Sequence, residues 1–143
     1  MAVRELVGSR KQGVLCTISS KLPGHPFGSV APYALDEAGR PIFLLSSLAV
    51  HTRNIEVEPR ASLLVMADPT STDPLASARV NLFGTVRAVD SEGVRPAYLA
   101  AHPDAEQWAD FGDFAFYRLD VANIYYVGGF GDMGWVAAGD YVE

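Results

Sequence analysis

The sequence predicts a mostly β domain with helices at its periphery, and three observations carry that expectation. Two apolar runs of strand length, Ile42 to Leu45 and Ala61 to Ala67, flank a segment that suits one short helix. A long alternating segment, Arg79 to Val89, is interrupted at Gly84 and is long enough to curve round a small barrel. Later in the chain, Phe114 to Asp120 and Ile124 to Val127 alternate with an aromatic and β-branched bias.

In chain order, Val3 to Val7 suits a short helical lead-in, with Gly13 beyond its end. Gly13 to Ser19 reads as the first strand. Leu15, Thr17 and Ser19 share one face, and Val14, Cys16 and Ile18 share the other, which is expected to put Cys16 in the core. Residues 20–28 form a loop turned by Pro23-Gly24 and Pro26. Ser29 to Leu35 reads as an extended segment, and Pro32 marks an edge or a bulge because it cannot donate to a ladder. A turn at Asp36 to Arg40 then predicts a hairpin with the strand at Ile42 to Leu45.

The segment Ser46 to Glu58 follows, and Pro59 ends its helix. Leu48, Ile55 and Val57 are the candidates to hold that helix down. Asp68 to Ala78 is a polar loop with two Asp-Pro pairs. On the next strand Arg79, Asn81, Phe83, Thr85 and Arg87 share a face. Asp90 or Ser91 is placed to cap a helix over residues 93–101, with Pro96 expected in its first turn. Asp104 and Gln107 have capping-box spacing in a further turn or two ending at Asp110. Val121 to Asn123 is expected to turn the chain between two separate strands. Gly128 to Trp135 holds four glycines in eight residues and lacks the setting of a dinucleotide fingerprint. Phe130 and Trp135 in that tail need a surface to bury against, from a second subunit or a cofactor.

Composition bounds the function. The chain has 143 residues, 49% apolar and 20% charged, enough for one domain with a real core. A formal net charge of -6 argues against nonspecific nucleic-acid binding. Cys16 is the single cysteine, so there is no intrachain disulfide and no cysteine-rich metal site. That suits a reducing compartment, and with no signal core or membrane-length apolar run the expected location is cytoplasmic.

The chemistry concentrates in Ser46, Ser47, His51, Thr52, Arg53 and Asn54. Serines leaving a strand, N–H groups at a helix start and a guanidinium would together cradle a phosphate. Each also has a plain structural use: Ser46 or Ser47 as a helix cap, Arg53 as the surface partner of Glu56 or Asp36, His51 as a packed histidine.

Taken in order, Gly13 to Ser19, Pro23 to Val30, Arg40-Pro41, Ser46 to Asn54, Pro59 to Leu64, Asp73 to Ala76, Arg79 to Gly84, Asp113-Phe114, Tyr117 to Leu119 and Gly128 to Gly131 with Trp135 cover nearly the whole chain. This pattern resembles the split-barrel flavoprotein superfamily that includes pyridoxamine 5'-phosphate oxidase. Within it, the chain is similar to the barrel domain of bacterial haem-utilisation proteins and to the cellular repressor-like proteins. The resemblance implies a six-stranded antiparallel split β-barrel with peripheral helices. It also implies a homodimer with two small-molecule sites along the subunit interface; no nucleic-acid or membrane partner is expected, from the charge and hydropathy above. By that likeness the chain binds FMN. Ser46, Ser47, His51, Thr52 and Arg53 would face the phosphate, and Gly28, Ser29, Val30 and Ala31 would run along the ring. The implied activity is oxidoreduction of a small conjugated substrate, with no acid or base assignable. Two alternatives accompany it: a protein that binds or degrades haem, and a cofactor-free binding or regulatory dimer. His25, His51 and His102 are the possible iron ligands, without metal-ligand spacing. The expected organisation is a single domain over residues 1–143, without the C-terminal domain of longer haem-utilisation relatives.

Overall fold

The computed structural model describes residues 2–68 and 72–141. Helix α1 (Ala2–Ser9) leads into β1 (Gln12–Ile18), β2 (Pro26–Pro32) and the two-residue β3 (Ala34–Leu35). Then come β4 (Pro41–Ser46), α2 (Val50–Val57), β5 (Arg60–Met66) and β6 (Arg79–Ala88). Helix α3 (Ser91–Ala101), β7 (Phe114–Gly129), β8 (Asp132–Ala137) and α4 (Ala138–Tyr141) complete the chain. Short 3-10 turns cover Pro74–Ala76 and Pro103–Gln107. The eight strands form one antiparallel sheet ordered β2-β1-β5-β6-β7-β4-β3, with β8 on β7. The sheet curls into a half-barrel, the split barrel that the sequence pattern implied.

Two apolar clusters explain the curl. The main core lies inside, from Leu15, Leu63, Val65, Val80, Leu82, Val86, Leu119 and Ile124, and is closed by Val3, Leu6 and Val7 of α1. A second cluster lies on the far side of β4 and β7, where Val94 and Tyr98 of α3 pack on Ile42, Leu44 and Phe116. Phe43 and Leu45 enter the first cluster while Ile42 and Leu44 enter the second. That double burial is why β4 is an unbroken apolar run rather than an alternating one. On the same side Phe116 is 4% exposed, with the Tyr98 ring 5.7 Å away edge-on, so it is no part of an open aromatic face. Tyr126 is likewise partly buried, against the main core.

Several local expectations change. The face of β1 that enters the core is Leu15 and Thr17, and Cys16 lies on the outer face, half-buried. Thr17 belongs inside because Asn54 of α2 donates to its hydroxyl at 3.0 Å. β2 pairs with β1 rather than β4, so the hairpin onto β4 is reduced to β3. β2 ends the sheet order, which accommodates Pro26 and Pro32 at its two ends. Residues 121–123 form no turn. β7 runs on for 16 residues, and its register against β6 shifts between Phe83 and Gly84. A Cβ on Gly84 would sit 1.9 Å from the Asp120 carbonyl oxygen, so only glycine allows the strands this close. The glycine-rich tail is a hairpin: Phe130 and Gly131 connect β7 to β8, with Gly131 at φ 75°.

Helix details differ too. Pro96 lies inside α3, beyond its first turn, and Asp90 caps that helix without a side-chain bond. The Asp104–Gln107 capping box does not form: His102 is the N-cap of that turn, and its side chain makes no capping bond. Of the three residues expected to hold α2 down, only Ile55 is buried; Leu48 and Val57 are exposed. Residues 69–71 of the polar loop lie outside the described residues.

Candidate functional site

Helix α2 and the edge strand β2 meet at one polar contact, Ser29 Oγ to His51 Nδ1 at 2.8 Å. Asn54, fully buried, makes that meeting possible. Its Nδ2 donates to Thr17 Oγ1, and its Oδ1 accepts from Ser20 N at 3.0 Å and Ser20 Oγ at 3.2 Å. Thr17 Oγ1 in turn donates to the Phe27 carbonyl at 3.5 Å. One side chain therefore pins α2 to β1 and, through Thr17, to β2. Buried amide groups in a satisfied network of this kind hold geometry as well as stability.

The candidate residues divide along the helix. Successive helical residues turn by about 100°, so His51, Thr52 and Arg53 face three directions. His51 is half-buried against Ser29. Thr52 points inward, fully buried, and its hydroxyl has no hydrogen-bond partner among the described residues. Arg53 is exposed, and neither Glu56 nor Asp36 pairs with it; Asp36 is held by Arg40 at 2.8 Å instead.

The two serines do not cap α2. Ala49 is its N-cap, without a side-chain bond. Ser46 Oγ donates to Asp113 Oδ2 at 2.7 Å and accepts from Leu48 N at 3.1 Å. Ser47 is exposed, and its N–H donates to the Asp113 carbonyl at 2.7 Å. Strand alternation also divides the β2 set: Ser29 and Ala31 face inward, while Gly28 and Val30 face out. Ser29 and His51 are thus brought together, while the other candidates take separate directions.

The three histidines differ in environment. Burial holds the His51 pKa below the ordinary imidazole value, so His51 is neutral at pH 7. In the tautomer that donates from Nδ1 to Ser29 Oγ, Nε2 keeps its lone pair. His102 spends its Nε2 on the Tyr33 carbonyl at 2.7 Å and stacks on Tyr98. His25 is exposed in the loop before β2. Exposed Leu48 and Val50 add an apolar surface at the start of α2.

Sequence reasoning named Asn54 only as one donor in a cluster. Its position beside Ile55, the buried apolar residue of α2, is the signal that could have marked it as a buried anchor. The glycine-rich pattern of Gly128 to Trp135 gives no strand signal, yet Asp132–Ala137 forms β8 on the outer sheet face. There Trp135 packs 5.0 Å from Tyr125 and 5.9 Å from Phe83, yet remains 70% exposed. Val30, 63% exposed, ends the same cross-strand row through Val14, Leu64, Asn81 and Tyr125. No group of three or more metal-ligating side chains gathers among the described residues. No helix among them is long and apolar enough to cross a membrane.

Comparison with known proteins places this geometry. The family model described as "CREG, beta-barrel" matches residues 1–143. The chain is 42% identical over 130 residues to the non-canonical heme oxygenase HOZ of Arabidopsis thaliana, covering 89% of this chain and 39% of that protein. It is 31% identical over 151 residues to the heme oxygenase HutZ of Vibrio cholerae, covering 99% of this chain and 82% of HutZ. Among solved structures, a heme binding protein from Mycobacterium smegmatis superposes with a TM-score of 0.89 at 34% identity, over 97% of this chain and 57% of that one. The chain therefore spans well under two thirds of two of these relatives.

Proposed function

This chain belongs to the CREG β-barrel family, and on that premise we propose that it binds haem at the β2–α2 edge, with His51 as the iron ligand. The observation that carries the reading is the Ser29–His51 pair. A histidine that ligates iron needs a neutral ring, a free nitrogen and a partner fixing its orientation. Burial supplies the first, Ser29 the third, and Nε2 is the nitrogen left over. Bound haem supplies the iron and the conjugated ring; the chain supplies orientation and apolar contact from Leu48 and Val50. Oxidative opening of haem, the activity in the relatives' names, is proposed for this chain as well. It requires dioxygen and electrons from outside the protein, with haem as the substrate.

FMN stands behind haem. The Asp113 carboxylate lies against Ser46, which sets a negative charge beside the expected phosphate cradle. The enclosed Thr52 hydroxyl and the outward Arg53 do not converge with it. A second copy of the chain completes the site in this reading. The exposed Trp135, Met133 and Val30 form an apolar outer face of the kind that subunits bury. A two-fold pair would build the groove twice.

The test is a ferric haem titration followed at the Soret band. Saturable binding at micromolar protein is expected, with a shifted band and weaker binding in His51→Ala. The single variants His25→Ala and His102→Ala are expected to keep the wild-type spectrum. A linear, unsaturable response, or an unchanged spectrum in His51→Ala, rules the assignment out.

A further inference from the structure

Four charged side chains meet on the outer face of β6, β7 and the turn before β4, sharing no residue with the His51 site. Arg87 and Arg118 are direct cross-strand partners. Like charges in that position repel. Both turn to one carboxylate: Arg87 Nε lies 2.6 Å from Asp120 Oδ2, and Arg118 Nε 2.7 Å from Asp120 Oδ1. Arg40 places Nη1 3.8 Å from the same Oδ1 while its Nε, 2.8 Å away, holds Asp36.

The way these contacts are made matters. Both Arg87 and Arg118 reach Asp120 with Nε, and their terminal amino groups form no hydrogen bond among the described residues. A guanidinium used only through Nε keeps most of its fork for a further oxyanion. The three arginines line a cavity of about 390 Å³, together with Val121 and Tyr141, in which Asp120 is the sole acid. With the Asp36 that Arg40 also holds, three positive charges face two negative ones, which leaves an excess of one. On the opposite side, Arg40 and Arg118 border a wider hollow of about 960 Å³ whose wall carries Asp36, Glu37, Asp90 and Glu92. Those four carboxylates repel an anion from that direction, so approach is favoured from the side of Tyr141. In a chain of net charge -6, this convergence runs against the overall composition.

We propose that Arg40, Arg87 and Arg118 bind an oxyanion, a phosphate or phosphomonoester, in the cavity beside Tyr141. The inference does not rest on haem binding. The remaining positive charge favours an anion, and the several acceptors of a phosphoryl group suit guanidinium groups from three different strands and turns.

The experiment follows the arginine Nε–Hε resonances of the labelled full chain by NMR during titration with inorganic phosphate. Ionic strength is held constant, with chloride as the reference ion. Saturable shifts confined to Arg40, Arg87 and Arg118 are expected. Arg87 is the most exposed of the three, so Arg87→Gln leaves the fold intact and weakens phosphate roughly tenfold, the size of one charge-assisted bond. Asp120→Asn removes the internal competitor and tightens phosphate. A parallel titration with glycerol phosphate identifies the source: tighter binding of the ester assigns the site to phosphomonoesters, weaker binding to the free ion. Linear shifts matching those of chloride, or equal phosphate affinity in Arg87→Gln and wild type, overturn the site.

Discussion

The β2–α2 edge and the β6–β7–β8 outer face belong to one sheet, yet they are held by opposite means. At the first, one buried amide, Asn54, satisfies two elements at once and sets the distance from Ser29 to His51. Every bond in that network closes within a single chain. At the second, the fixed parts are backbone: Gly84 lets β6 approach β7, and the side chains above it, Phe83 and Trp135, are left partly or largely in water. Directional bonds can close a network inside one subunit. An apolar face is finished only by something that covers it.

The comparison breaks hardest at Gly84. Gly84→Ala must move a β7 carbonyl, not a flexible side chain, and is expected to cost about 3 kcal/mol or more in urea unfolding. Retention of wild-type stability would mean that the close approach is not what seats the bulge. Next comes Asn54→Ala. It leaves Thr17 without its donor and Ser20 to water, with an expected loss of about 2–3 kcal/mol. The same variant is expected to weaken haem, because His51 loses its anchored helix. Stability lost with haem affinity unchanged would separate the network from the site.

Trp135→Ser probes the open face. Its stability effect in a monomer is expected within about 0.5 kcal/mol, since the residue is mostly exposed. Its effect on self-association is larger, about 2 kcal/mol, the loss of one aromatic anchor. Sedimentation equilibrium at low micromolar concentration measures it. A wild-type particle of one-chain mass would defeat the dimer, and a variant as tightly paired as wild type would move the interface elsewhere.

The smallest effect is the titration of His51. Burial lowers its folded pKa, so the unfolded chain binds the proton more readily. Its share of stability is full above the ordinary imidazole value of about 6.5 and is lost as pH falls from there through the lower folded pKa. Stability measured from pH 7.5 to 5 is expected to fall less steeply in His51→Gln than in wild type. Equal slopes would place the acid sensitivity in other groups.

Much of this was legible in the residues themselves. Strand content, the short helix between β4 and β5 and the glycine at the strand crossing all follow from local pattern, because length, turn chemistry and alternation are local properties. The run at Ile42 to Leu45 announced burial on both faces for the same reason. Alternation, however, assigns residues to two faces without saying which face is inside. Thr17 went in and Cys16 out because Asn54, 37 residues away, supplied the partner that a buried hydroxyl needs. The pairing of Ser29 with His51 and the gathering of Arg40, Arg87 and Arg118 on Asp120 depend on strand register between distant segments, as does the hairpin that turned a glycine-rich tail into β8. Sequence alone determined what each segment would form. Only the tertiary structure decided which polar groups meet, because hydrogen bonds and ion pairs are short-ranged and a one-residue change of register redirects every side chain.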